Sequence, residues 1–242
     1  MLELSDQEAD AKPAATVILI RPVGDGIEVL LLKRSEALKH MPGLWVFPGG
    51  KVEADDPGEG DFERARSAAA RECHEEAGVA LRTDLLAPFS HWLTPVVVKR
   101  RFATWFFWAQ VPTDTAVQVD GSEITAHQWW QPAHAIAAHH AGDLPMTPPT
   151  LVSLHDLDAL DWSSAAALAG VDQWRTGRTQ VPPSFESILL EEISRSFSAS
   201  VLPKGGWFES LIEGFRPVVK GVSDLRDPMH VYVQCLACAP VL

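Results

Sequence analysis

The chemistry this chain could perform is concentrated in one short run, Arg-Glu-Cys-His-Glu-Glu-Ala-Gly-Val, which spans Arg71, Glu72, Glu75, Glu76 and Gly78. On a helix, at about 100° per residue, Glu75 and Glu76 lie at about −60° and +40° from Glu72, so three carboxylates share one face. Exposed to water, such neighbours repel by only about a few tenths of a kcal/mol. In a cleft, about 5 Å apart at an effective dielectric near 20, each pair costs ~3 kcal/mol and calls for a compensating positive charge. A hard divalent cation, Mg²⁺ or Mn²⁺, supplies that charge, because such ions take oxygen ligands, keep waters and bridge substrate phosphates. The competing reading is a plain solvated helix face. Context favours the site: the run follows Phe47-Pro48-Gly49-Gly50, and another glutamate, Glu63, stands eight residues before Arg71.

Other residues were weighed beside this run. Lys99, Arg100 and Arg101 form a local positive patch, and with Arg34 they are candidates for contacts to substrate phosphate; the alternative for each is a surface ion pair. Glu123 is a candidate extra carboxylate from outside the run, in a loop before Trp129. His74-Glu75 begins like a zinc-protease motif, but Gly78 stands where the second histidine belongs. His230, Cys235 and Cys238 offer three zinc ligands without a fourth. Trp129 and Trp130 could stack a base, although packing is the commoner use of such residues.

These residues need a scaffold, and the hydrophobic pattern supplies one. Thr16 to Ile20 and Val29 to Leu32, either side of the turn at Gly24-Asp25-Gly26, read as a β-hairpin. A short strand at Trp45 to Phe47 runs into the breakers Pro48, Gly49 and Gly50, followed by an acidic Pro/Gly loop from Ala54 to Asp61. Phe62 to Ala77, rich in Ala, Arg and Glu and stopped by Gly78, reads as a helix. Leu85 to Leu93 and Phe102 to Val111 read as strands, so strands before and after one helix predict a mixed α/β sandwich. Past Pro132 the pattern turns helical, with a segment from Pro148 to Leu160 and another helix from Trp162 to Ala169. Phe185, Ile188, Leu189, Ile193 and Phe197 recur at helical spacing behind Ser184, a packing stripe; from Ser198 onward strand, loop and docked tail all remain open.

The chain of 242 residues is 46% apolar and 21% charged, as a folded globular protein is, and its net charge of −12 argues against a general binder of nucleic acid or anionic membrane. Three cysteines make no disulfide framework, the first ten residues are acidic where a signal peptide would be basic, and apolar runs are strand-sized, so the expected location is the cytoplasm.

The run and its context resemble the Nudix hydrolase box, Gly-x5-Glu-x7-Arg-Glu-U-x-Glu-Glu-x-Gly-U with U apolar. Gly50 opens it, Glu63 and Arg71 match at the family's spacing, Cys73 and Val79 take the apolar positions and Gly78 closes it. Twelve residues separate Gly50 from Glu63 where the pattern has five, and the extra seven fall in the acidic loop, where insertion is tolerated cheaply. The resemblance implies a Nudix-type α/β/α sandwich with a mixed sheet over residues 13–150; the remainder, 151–242, reads from its own pattern as a mostly helical extension that could cap the cleft, form a homodimer or bind a partner. It also implies Mg²⁺- or Mn²⁺-dependent hydrolysis of the diphosphate linkage in a small nucleoside diphosphate derivative. Glu72, Glu75 and Glu76 would be metal ligands with Gly50 at the same centre, Glu75 a ligand or the base, and Glu63 the outer partner of Arg71. Leu31 to Ser35, Leu38, Lys39, Gly43, Phe47 to Gly50, the loop Thr94 to Arg101, Phe102 and Thr104 resemble the branch that includes coenzyme A diphosphatases. ADP-ribose or dinucleotide hydrolysis, and a silent binding module on the same fold, are the alternatives.

Overall fold

The computed structural model describes residues 9–94, 100–159, 162 and the backbone of 233–235. The chain runs β1 (Lys12–Val23), β2 (Gly26–Arg34), β3 (Trp45–Val46), β4 (Gly49–Lys51), α1 (Gly60–Ala77), a 3₁₀ turn (Thr83–Leu85), β5 (Ala87–Leu93), β6 (Phe102–Gln110), β7 (Ile124–Trp130), α2 (Pro132–Ala141), α3 (Pro148–Asp158) and β8 (Val233–Cys235). The strands form one mixed sheet in the order β3-β2-β1-β6-β5-β8, with β4 also paired to β1 and β7 to β2. β1 runs parallel to β6, from Lys12 opposite Phe102 to Ile20 opposite Gln110, and antiparallel to β2.

The apolar run in β1 is continuous because both faces of this central strand are covered. Successive side chains point to opposite faces. Ala15, Val17 and Leu19 therefore join Leu30, Leu32 and Phe107 under α1, which presents Ala65, Ala68, Ala69, Cys73 and Ala77. Ile18 and Ile20 face the other way, with Val29, Leu31 and Trp108, toward Ile136 of α2 and Leu151, Leu154 and Leu157 of α3. The result is the expected α/β/α sandwich. Each large side chain so buried stabilises the fold by about 1.5 to 3 kcal/mol. The small residues on α1 matter for another reason: they let the helix lie close to the sheet, which brings its carboxylates over the edge of β4.

Several elements depart from the sequence reading. Gly49 and Gly50, read as breakers, open a strand, Gly49–Lys51, paired with Ala14 to Thr16. Glycine is required there because a Cβ on Gly49 would lie 2.5 Å from both the Ala15 carbonyl and Thr16 Oγ1. Ile124–Trp130, to which the sequence reading gave no element, is β7, antiparallel to β2 from Trp130 opposite Val29. Its two tryptophans pack on opposite faces, Trp130 against the α3 side and Trp129 against the α1 side, with the Arg21 guanidinium 4.3 Å from the Trp129 ring. Packing, rather than base stacking, is their use here. The strand expected from Leu85 begins at Ala87, after the 3₁₀ turn, and α1 begins at Gly60, two residues early. Trp162 donates its indole N–H to the Leu157 carbonyl at 2.8 Å. The rest of the helix expected at 162–169, the stripe at 185–197, His230 and Cys238 lie outside the described residues. No helix among the described residues is long and apolar enough to cross a membrane.

Candidate active site

α1 ends where its sequence says it should: Gly78 takes the left-handed conformation, φ +69°, and its N–H closes on the His74 carbonyl at 3.0 Å. One turn back, Glu76 points down toward the sheet and is only 7% exposed, its Oε2 accepting the Gly49 N–H at 2.9 Å. Two backbone bonds hold the Pro-Gly-Gly segment against β1, Val17 N–H to the Pro48 carbonyl and Val52 N–H to the Pro13 carbonyl. Gly50 sits so close under the helix that a Cβ there would fall 2.3 Å from Glu72 Oε1. Its missing side chain is thus a requirement of the carboxylate face.

Burial dominates the electrostatics. It pushes the Glu76 carboxyl up to about 8, against the opposing Gly49 N–H and with added repulsion from Glu72. Burial likewise raises Glu72, offset in part by Arg71 and reinforced by Glu75 and Glu53. These are carboxylates held away from water without enough local positive charge, which is the situation a bound cation relieves.

Arg71 is the cation bonded to two of them. Its Nη1 donates to Glu72 Oε1 at 2.9 Å and Glu75 Oε2 at 3.1 Å, its Nε and Nη2 to the two oxygens of Asp56 at 2.9 and 3.1 Å, and Nη2 also to the Lys51 carbonyl at 3.0 Å. This corrects the expectation for Glu63. That residue instead pairs with Arg66 at 3.3 Å, its side chain 46% exposed, and it does not line the cavity. The reason is geometric: α1 is unbroken from Gly60 to Ala77, so Glu63 sits about 12 Å along the axis from Arg71.

The carboxylates open on a cavity of about 700 Å³. Its lining includes the acids Glu72, Glu75 and Glu76, the bases Arg34, His40 and Arg100, and the aromatic residues Trp92, Phe102 and Phe106. The Nη2 of Arg34 donates to the His40 carbonyl at 3.4 Å, and its Nε is buried with no partner among the described residues. His40 lies with its ring centroid 6.2 Å from that of Phe102; burial, then the charges of Arg34 and Arg100, hold its imidazole below the ordinary value. Met41 follows with φ +51°, a conformation uncommon for a residue with a side chain. Glu123 also lines the cavity, on a turn whose N–H groups of Ser122, Glu123 and Ile124 all bond the Asp120 carboxylate; its carbonyl accepts the Ser35 N–H at 2.7 Å.

Among the expected phosphate contacts, Arg34 and Arg100 face the cavity. Arg101 does not: it is 7% exposed and donates to the carbonyls of Thr94 at 3.0 Å and Ala9 at 2.6 Å, so it ties backbone together. Adjacent residues entering a strand point opposite ways, so only one of the pair can reach the cleft. Lys99 lies outside the described residues. The sequence reading did not single out His40, Glu53, Trp92 or Asp56. For Asp56 a signal existed: Gly50-x5-Asp56 has the box's own first spacing, with aspartate for glutamate.

Fold and site together define the Nudix class. The NUDIX domain family matches residues 10–149, more than half of the chain, and the chain belongs to it. It is similar to nudix hydrolase 7 of Caenorhabditis elegans, 29% identical over 170 residues, which cover 55% of this chain and 57% of the relative. It is also similar to an acyl-coenzyme A diphosphatase of Xenopus laevis, 24% identical over 228 residues, covering 54% and 59%. A peroxisomal coenzyme A diphosphatase of C. elegans is 36% identical over 90 residues, covering 36% of each. The chain thus spans less than two thirds of the length of the curated relatives it matches. A crystal structure of a NUDIX hydrolase from Alicyclobacillus acidocaldarius shares the fold, with TM-score 0.57 and 23% identity over 63% of this chain and 93% of that one.

Nudix enzymes use divalent metal ions. No three acidic, histidine or cysteine side chains among the described residues already stand as a ligand set; Arg71 bonds Glu72 and Glu75. The donor chemistry nevertheless fits: three carboxylates face one cavity, one is buried with a raised pKa, and Gly50 leaves room beside them.

Proposed function

We propose that this chain is a Mg²⁺- or Mn²⁺-dependent hydrolase that cleaves the diphosphate linkage of a nucleoside diphosphate derivative, with coenzyme A or an acyl-coenzyme A as its substrate class. The observation that carries the reading is the buried Glu76 carboxylate beside Gly49 and Gly50, facing a cavity that Arg34, His40 and Arg100 also line. Glu72, Glu75 and Glu76 would hold the ion, with Gly50 at the same centre. When bound, it neutralises charge on the phosphoryl oxygens and acidifies water.

The chain's own groups do the rest. Glu75, whose side chain is 55% exposed at the cavity edge, accepts the proton of the attacking water; Glu123 is the second candidate for that role. The water oxygen forms the new P–O bond, the bridging P–O bond breaks, and the departing phosphate leaves with the electron pair. Arg34 and Arg100 hold the outer phosphate oxygens. The aromatic wall of Trp92, Phe102 and Phe106 supports a substrate with an apolar arm. The segment from Leu31 to Gly50 and the two similar coenzyme A diphosphatases support the same class. The substrate is a small molecule, since a chain of net charge −12 repels polyanions.

The test is a panel of coenzyme A, acyl-coenzyme A, ADP-ribose, NADH and nucleoside triphosphates with Mg²⁺, read by product mass. Cleavage of the coenzyme A substrates to two phosphorylated fragments is expected. Preference for ADP-ribose or a dinucleotide would refute the substrate class, and binding without cleavage of any would refute the enzyme.

A further inference from the structure

We infer that Asp56, within the loop between β4 and α1, is the positioning residue of the carboxylate face: it fixes the Arg71 guanidinium so that Glu72 and Glu75 are presented to the cleft. The inference rests on the metal-dependent reading above and names the residue that makes its ligand set possible.

A guanidinium has five N–H donors in a rigid fork, and at Arg71 every one has a place. Nε and one Nη2 hydrogen go to Asp56, the other Nη2 hydrogen goes to the Lys51 carbonyl, and the two on Nη1 go to Glu72 and Glu75. The two-point grip on Asp56 sets the plane of the fork, so Nη1 can only point at the glutamates. Asp56 is itself fixed. Its side chain is 2% exposed, its Oδ2 accepts the Glu53 N–H at 2.7 Å, and Arg64 holds the Glu53 carbonyl at 2.6 Å. The turn from Lys51 to Asp56 is therefore clamped to α1 at two arginines.

This placement also relocates the insertion. Five residues lie between Gly50 and Asp56, and fourteen between Asp56 and Arg71. The seven extra residues follow the acid that partners Arg71 instead of preceding it. Without the Asp56 charge the Nε and Nη2 edge of the fork loses its anion, and those donors too can turn onto Glu72 and Glu75, where they oppose cation binding. Removing a partner of this kind lowers metal affinity by about 10- to 100-fold.

The test compares Asp56→Asn, Asp56→Glu and Glu63→Gln in the full chain, reading the Mn²⁺ dissociation constant by electron paramagnetic resonance, melting by circular dichroism, and kcat and KM where a substrate is cleaved. Asp56→Asn is expected to weaken Mn²⁺ binding about 10-fold or more, to lower kcat more than it raises KM, and to be rescued in part by Asp56→Glu. Glu63→Gln should change Mn²⁺ affinity less than about twofold, the scale of a lost surface pair. A folded Asp56→Asn with near wild-type Mn²⁺ affinity, or a loss in Glu63→Gln as large as in Asp56→Asn, overturns the assignment. If Asp56→Asn does not fold, the order of the other two decides: a larger loss in Asp56→Glu supports it, and an equal or larger loss in Glu63→Gln overturns it. Failure of the wild type to cleave any substrate would refute the hydrolase reading alone, because the Mn²⁺ affinities still report on Asp56.

Discussion

The acidic wall that α1 gives the cleft comes from five consecutive residues, Glu72 to Glu76, whereas the basic wall is gathered from three separate places: Arg34 at the end of β2, His40 in the loop after it, and Arg100 just before β6. On the acidic wall, helical periodicity alone sets which side chains converge, and burial raises Glu72 and Glu76 together. On the basic wall, convergence depends on the parallel pairing of β1 with β6 and on the strained turn at Met41. A device encoded within one element resists change elsewhere; one assembled from several depends on the fold around it. The acidic wall should therefore govern turnover, and the basic wall affinity and choice of substrate.

The most damaging change should be Glu76→Gln, which keeps shape and the Gly49 contact but removes the buried charge. It is expected to lower kcat by about three orders of magnitude, about 4 kcal/mol of transition-state stabilisation, with the fold retained by circular dichroism. Gly50→Ala comes next: its Cβ would lie 2.3 Å from Glu72 Oε1, so the carboxylate must move, and kcat/KM should fall about 10- to 100-fold in steady-state assays. Arg34→Ala and Arg100→Ala should each raise KM about tenfold with kcat little changed, the loss of one charge-assisted hydrogen bond. If either lowered kcat as Glu76→Gln does, the division of labour between the walls would be wrong.

How much of this was legible in the sequence follows the same division. The carboxylate helix and the β1–β2 hairpin were readable because their signals are local periodicities. β4 was hidden by two glycines that also read as a break, and β7 by a sequence, Ile-Thr-Ala-His-Gln-Trp-Trp, whose strand character comes from pairing with β2. Glu63 was taken for the partner of Arg71 because spacing cannot say on which side of the acid an insertion falls; only a continuous α1 decides it. Arg101 was grouped with Arg100 because a run of positive charge does not reveal which side chain turns inward. His40 was missed because nothing in its neighbours marks it; the fold alone brings it to the cleft.

The pH response separates the walls further. The Glu76 carboxyl sits at about 8 in the folded chain against an ordinary 4.5, so the folded state holds a proton that the unfolded state releases in between. Its stabilising contribution is complete below about 4.5 and is lost as pH rises through about 8. The melting temperature of the metal-free protein should therefore fall over this window, and the rise on adding Mg²⁺ should grow with pH because the ion displaces that proton. The smallest effect on function belongs to Arg101→Ala. Leaving the Thr94 and Ala9 carbonyls without this donor should reduce stability by about 1 to 3 kcal/mol in denaturant unfolding, while KM stays unchanged.

The account stands or falls on whether the carboxylate face of α1 is where a divalent ion sits. Mn²⁺ titration of the wild-type chain and of Glu76→Gln at pH 8, followed by electron paramagnetic resonance, tests this without any substrate. Saturable binding by the wild type and a loss of about 10-fold or more in the variant is the predicted result; equal affinities in the two would contradict it.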